Sequence, residues 1–159
     1  MTKTKIKMAD DVGLRKILDN EYEKSSQVKL CKYALLLATH ILAMVEFEDM
    51  SNPIIQAGYV VNENWQRGKA RMHDVRQAGF EIHRLAKNNP DSITQTALRV
   101  LGQAVATGHM REHAIVASDY AVKVINLLFP GDVNAVRQER LWQIEQLRDI
   151  EEAVNPIFT

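Results

Sequence analysis

The chain has 159 residues, with 20 Lys and Arg against 20 Asp and Glu, so its formal net charge is zero. A chain of this length with 46% hydrophobic residues can bury a core without help from disulfides or metal. The charge balance supplies no global pull towards phosphate, so no nucleic-acid partner is expected.

Lysines punctuate the N-terminus, but no apolar stretch of the kind a secretory signal needs follows them, and residues 1–9 are expected to be flexible. Asp10-Asp11 predicts a cap for a short first helix ending near residue 22. Ser25-Ser26 opens a long second helix to about residue 47. Cys31 lies in its apolar run Leu30-Cys31-Lys32-Tyr33-Ala34 and reads as a small inert hydrophobe. As the only cysteine it excludes a disulfide framework and a cysteine-based zinc site. The most apolar stretch, 33–45, is interrupted by Thr39 and His40 and falls short of the ~18 residues that span a bilayer. A cytoplasmic location with no membrane partner is therefore expected. Only Lys29, Lys32, Thr39 and Glu46 form a polar line on this helix, so it should be packed on several sides.

Asn52-Pro53 is an N-cap followed by proline at the first helical position, and predicts a third helix running to a stop at Gly68. A fourth covers 69–87, ending before Asn88-Asn89-Pro90. Asp91 or Ser92 caps a fifth, which reaches Thr107-Gly108. Gly102 inside it, among Ala104, Ala106, Gly108, Ala114 and Ala117, predicts a close crossing with a neighbouring helix. The sixth, 111–129, has one polar line, Glu112, Asp119, Lys123 and Asn126, and should also be central. After Pro130-Gly131-Asp132 the last helix runs over 133–154. Its stripe of Val133, Val136, Leu141, Ile144 and Leu147 faces the core. Arg137, Glu139, Arg140, Glu145, Arg148, Asp149 and Glu152 are expected to solvate its other side. Residues 155–159 are expected to be flexible. No hairpin signal or sustained alternation appears. The expectation is an all-α compact bundle of six or seven helices, a single domain over 1–159.

Chemistry-bearing residues are sparse. His109 and His113 have the i,i+4 spacing that places two imidazoles on one helix face, which suits a metal, with His40 or His83, or Glu46 or Glu48, as a third ligand. No glutamate follows His109 as in the zinc-protease motif, and His113 lies on an apolar stripe with Ala117, Tyr120 and Val124. His40 sits between Tyr33, Leu37, Met44 and Phe47, so core or interface histidines are the competing reading. A phosphate-binding glycine loop and a nucleophile elbow are both missing. Trp65 and Arg67 close the third helix and are of the types that dominate interface hot spots. Trp65 also falls in line with Ile54, Ala57 and Val61 as a core anchor.

The order Lys32-Tyr33-Ala34, His40-Ile41-Leu42, Glu46, then Trp65-Gln66-Arg67-Gly68, then Ala78-Gly79-Phe80-Glu81-Ile82-His83-Arg84-Leu85-Ala86 resembles the immunity proteins of bacterial polymorphic-toxin systems. The most specific piece is Gly102-Gln103-Ala104-Val105-Ala106-Thr107-Gly108-His109-Met110-Arg111-Glu112-His113-Ala114, continuing to Asp119-Tyr120-Ala121. This is similar to that family's alanine-rich signature with two histidines. The resemblance covers about residues 30–128. It is weakest at Ser51-Asn52-Pro53-Ile54-Ile55-Gln56, where the family usually carries a connector rich in Pro and Arg. It implies a small helical protein, monomer or homodimer, that protects its producer by binding a cognate protein toxin, with no catalytic residue and no cofactor. The matching polar positions are Trp65, Arg67, His83, Gln103, His109 and His113, either as partner contacts or as an internal polar network that fixes helix register. A metal-binding protein or metal-dependent enzyme using His109, His113 and His40 is the alternative.

Overall fold

Seven helices form where the sequence supplies their ends. The computed structural model describes residues 1–151, and in it the helices are α1 Val12–Lys24, α2 Gln27–Met44, α3 Pro53–Gln66, α4 Met72–Asn88, α5 Ser92–Ala106, α6 His113–Leu128 and α7 Val133–Asp149. Five begin on a side-chain cap. Asp11, Ser26, Asn52, Asp91 and Asp132 accept hydrogen bonds of 2.9–3.1 Å from Leu14, Lys29, Ile54, Thr94 and Ala135 backbone N–H groups. The fold is all-α, as the periodicity predicts.

Two helices close with the same C-terminal turn but different residues. At the end of α3, Gly68 takes φ +72°, and the N–H groups of Gly68 and Lys69 donate back to Trp65 and Asn64 carbonyls. This turn, and Arg71 at the next N-cap, delay α4 to Met72 rather than residue 69. At the end of α2, Glu46 occupies the equivalent position at φ 56°, with Glu46 and Phe47 N–H groups donating to Ala43 and Leu42 carbonyls. The last helix stops at Asp149, capped by Ile150, instead of reaching residue 154. The expectations for 152–154 and for a flexible 155–159 lie outside the described residues.

α2 packs against α5, α6, α7 and α3, as its nearly unbroken apolar circumference requires. α5 is equally central, touching α4, α6, α2 and α3. Sequence reading placed α2 and α6 at the centre and passed over α5, because alanine and glycine give a weak hydrophobic signal while allowing four neighbours to approach. Gly79 on α4 shows that approach: a Cβ there would meet the Gly102 carbonyl oxygen and Ala106 Cβ, each at 3.3 Å. α7 lies on α1, α6 and α2. Residues 1–9 carry no helix, yet Thr2 bonds Asp19 with its backbone N–H (3.0 Å) and its hydroxyl, and Ala9 exchanges two hydrogen bonds with Asn126. No described helix is long and apolar enough to cross a membrane.

Candidate functional site

Four of the six candidate residues meet where α4, α5 and α6 converge. His83 projects from α4, Gln103 from α5, and His113 opens α6, with His109 in the connection before it. His113 Nδ1 is 2.7 Å from Gln103 Oε1 and donates to it. The other end of the same amide, Gln103 Nε2, is 3.5 Å from His83 Nε2. The His109 and His113 rings lie 5.8 Å apart, tilted by 31°. All four side chains are half-buried.

Gly102 exists for His83. A Cβ at Gly102 would lie 2.6–2.8 Å from three atoms of the imidazole, so the ring occupies the space that any other residue would fill. The close crossing expected at Gly102 is made with α4, through the Gly79 backbone and the His83 ring together. His83 Nδ1 is buried and has no hydrogen-bond partner among the described residues. Burial, with Arg99 and His113 adding repulsion, lowers the His83 pKa to about 4. Burial also lowers His113, and His109 acts in the same direction. This is a chain of neutral imidazoles joined by an amide.

Trp65 and Arg67 diverge. Trp65 packs beneath the α5–α6 connection, where a Cβ on Gly108 would lie 3.3 Å from its Cδ2 and 2.9 Å from Val75 Cγ1. Arg67 is exposed, donates to Asn64 Oδ1 at 3.1 Å, and borders a groove of about 520 Å³ between α2 and α3 with Lys32, Leu36, Tyr59 and Glu63. Trp65 is therefore a half-buried side chain packed against the core, and Arg67 presents the only exposed cation of the candidate set.

The alternative metal set is not assembled. His40 faces α7, stacked on Trp142 at 3.7 Å and 10°, with its Nε2 2.7 Å from Glu139 Oε1. His113 Nδ1 is engaged by Gln103. Among the described residues, no three His, Cys, Asp or Glu side chains converge as a ligand set. Cys31 is fully buried, and burial raises its thiol pKa to about 12, which suits a packing role.

A second polar cluster lies between α1, α6 and α7, and sequence reading missed it. Arg140 has no exposed surface and is the largest fully buried side chain among the described residues. Its guanidinium donates to Asp10 Oδ1 and Oδ2 (2.9 and 2.8 Å), to Asp119 Oδ1 (2.8 Å) and to Gln143 Oε1 (2.9 Å). Arg15 grips Asp119 with two bonds of 2.9 and 3.2 Å and reaches Asp19 at 3.4 Å. Gln143 passes the network on to Glu139 and to the Ser118 carbonyl. Glu139 and Arg140 were expected to be solvated, and Asp119 to sit on a polar line; all three are buried. The signal was present in spacing. Val136, Arg140, Ile144 and Leu147 share the i,i+4,i+8,i+11 face, and Asp119 stands between Ile115 and Val122 on the inward side of α6.

Residues 20–150 match the family described as Imm-5 like putative immunity protein. The chain belongs to this family. No curated protein and no solved structure matches it. The match is wider at both ends than the 30–128 segment that carries the signature residues. In this immunity-family chain it takes in the whole histidine–amide chain and, from the ionic cluster, Asp119, Glu139, Arg140 and Gln143. Asp10, Arg15 and Asp19 precede it. The alanine-rich signature therefore spans the end of α5 from Gly102, the bend after it and the first half of α6.

Proposed function

We propose that the chain binds a cognate protein toxin in the cytoplasm and neutralises it without catalysis. The observation that carries this reading is family membership over residues 20–150. The arrangement of polar groups supports it. His113, Gln103 and His83 satisfy or crowd one another, and the buried arginines are held by carboxylates, so these groups read as fixing the helix register. A binder needs such a rigid frame and an exposed patch of roughly 800 Å² on each partner. Arg67 and the half-buried His109, at the edge of the frame, are the members of the candidate set assigned to partner contact. Trp65, His83, Gln103 and His113 are assigned to support.

Co-expression with the toxin encoded beside this gene tests the reading. Restored growth and a one-to-one complex by light scattering are the expected result. Failure to protect against any neighbouring toxin would overturn it.

A further inference from the structure

Two grooves meet at the end of α6. One, of about 400 Å³, lies between α2, α6 and α7, and Met44, Phe129, Leu141 and Trp142 supply its apolar walls. The other, of about 480 Å³, opens where α1 and α7 begin, between Val12, Phe129 and Val133. Phe129 belongs to both and is 46% exposed; Val12 and Val133 are 73% and 79% exposed. Adjoining apolar side chains left open in this way mark an interaction surface rather than scattered exposure.

The charge around that surface is one-sided. Asp10, Asp11 and Asp132 line the second groove and Glu139 and Glu145 the first, while neither lining contains a Lys or Arg. The chain as a whole has 20 of each sign. Of the neighbouring cations, Arg140 is held by Asp10, Arg137 lies 3.8 Å from Asp11, and Lys123 donates to the Lys7 carbonyl next to the Ala9–Asn126 edge of the second groove. Asp132 and Glu145 face no Lys or Arg within ion-pair distance among the described residues. Such a rim repels polyanions and attracts cations.

We propose that this double groove docks a cationic segment of a partner protein that carries an apolar anchor. The anchor seats against Phe129 and Trp142, and flanking Lys or Arg side chains reach Asp132 and Glu145. Aromatic anchors ringed by complementary charge are the usual core of a protein interface. The inference adds this surface to the Arg67 and His109 contacts of the binder reading, and rests on that reading for the partner's identity.

Trp65 and Trp142 are the only tryptophans, and only Trp142 lines the groove, so Trp65→Phe leaves one reporter at the site. This variant is titrated with a peptide repeating Lys-Leu-Leu-Lys and with its Glu-Leu-Leu-Glu counterpart. A saturable fluorescence response to the lysine peptide is expected, weakened by salt. Glu145→Lys with Gln138→Lys, both at exposed positions, should weaken it by about fivefold or more. Leu141→Ser should weaken it also, whereas Glu63→Lys, in the α2–α3 groove, should leave it unchanged; thermal melting checks that each variant is folded. No response, equal affinity for the glutamate peptide, or an equal loss from Glu63→Lys would overturn the proposal. The Glu145→Lys/Gln138→Lys chain is then co-expressed with the neighbouring toxin. If the unaltered chain protects and the variant protects equally well, the groove is wrong and the binder reading stands. If the unaltered chain gives no protection, the binder reading falls and the peptide titration alone decides the groove.

Discussion

The two polar clusters inside this bundle handle burial in opposite ways. Between α1, α6 and α7, the charges of Arg15 and Arg140 are retained and surrounded by Asp10, Asp19 and Asp119 at hydrogen-bond distance. Between α4, α5 and α6 the imidazoles of His83 and His113 are pushed towards their neutral forms and share one amide. A charge-bearing network demands that every partner be present, because a lone buried ion carries its whole desolvation penalty. A neutral chain tolerates incomplete pairing, and the unpartnered His83 Nδ1 is an example. What the second cluster does not tolerate is added volume, since Gly102 is the floor on which the imidazole rests.

The sharpest way to break this comparison is to remove Arg140. Arg140→Ala leaves Asp10 and Asp119 without their shared donor and should lower stability by about 3–5 kcal/mol in urea unfolding. A loss under about 1 kcal/mol would mean that the ionic cluster is rearranged or hydrated in solution, and the contrast would fail.

Gly102→Ala probes the other cluster through volume. The new Cβ must displace the His83 ring, at about 1–3 kcal/mol for overpacking, less about 1 kcal/mol gained in helix propensity. A net loss of up to about 2 kcal/mol is expected. In a His83→Ala background the obstacle is gone, and the same substitution should turn stabilising by up to about 1 kcal/mol. Equal effects in both backgrounds would show that His83 does not lie over Gly102.

The fold was legible because its punctuation is local. Each of Asp11, Ser26, Asn52, Asp91 and Asp132 caps the helix that follows within three residues, and apolar spacing does the rest. The histidine–amide chain was legible in membership but not in chemistry: four residues of the matching stretches do meet, yet the pairing of Gln103 with both histidines depends on how three helices converge. The ionic cluster was legible in the spacing that turns Arg140 and Asp119 inward, but not in its pairing. Arg140 bonds Asp10, 130 positions away, and Arg15 bonds Asp119, 104 away. The density of charge on α7 outweighed that spacing, and the counter-charges that bury Glu139 and Arg140 come from other elements, so both looked like solvent contacts.

Acid separates the two clusters further. The folded chain holds His83 at about 4 against an ordinary 6.5, so the unfolded chain binds more protons between those values. Stability contributed by the neutral ring is complete above pH 6.5 and is lost as pH falls through that window. Between pH 7 and pH 5 the loss should be on the order of 1–2 kcal/mol, with His113 shifting the same way. Ordinary carboxylates, at about 3.9–4.3, stay mostly ionised down to pH 5, so this range weights the imidazoles over the ion pairs. Urea unfolding at pH 7 and pH 5 checks it: His83→Gln should flatten the slope. An unchanged slope would show that His83 is solvated.

The smallest expected effect comes from an arginine on the same helix, eight residues beyond Arg140. Arg148 Nε lies 3.2 Å from Glu21 Oε1 and joins α7 to α1, as Arg140 joins α7 to the residues ahead of α1, but its side chain is 55% exposed. Water solvates both ends of this pair, and Glu21 keeps Lys24 at 3.6 Å when Arg148 is removed. Arg148→Ala should therefore shift stability by no more than about 0.5 kcal/mol, and by less at high salt. The ratio between the two arginine deletions, measured in one urea series, isolates the effect of burial at constant residue type and helix. If Arg148→Ala approached the Arg140→Ala loss, the stabilising quantity would be the α1–α7 contact itself rather than the withdrawal of charge from water.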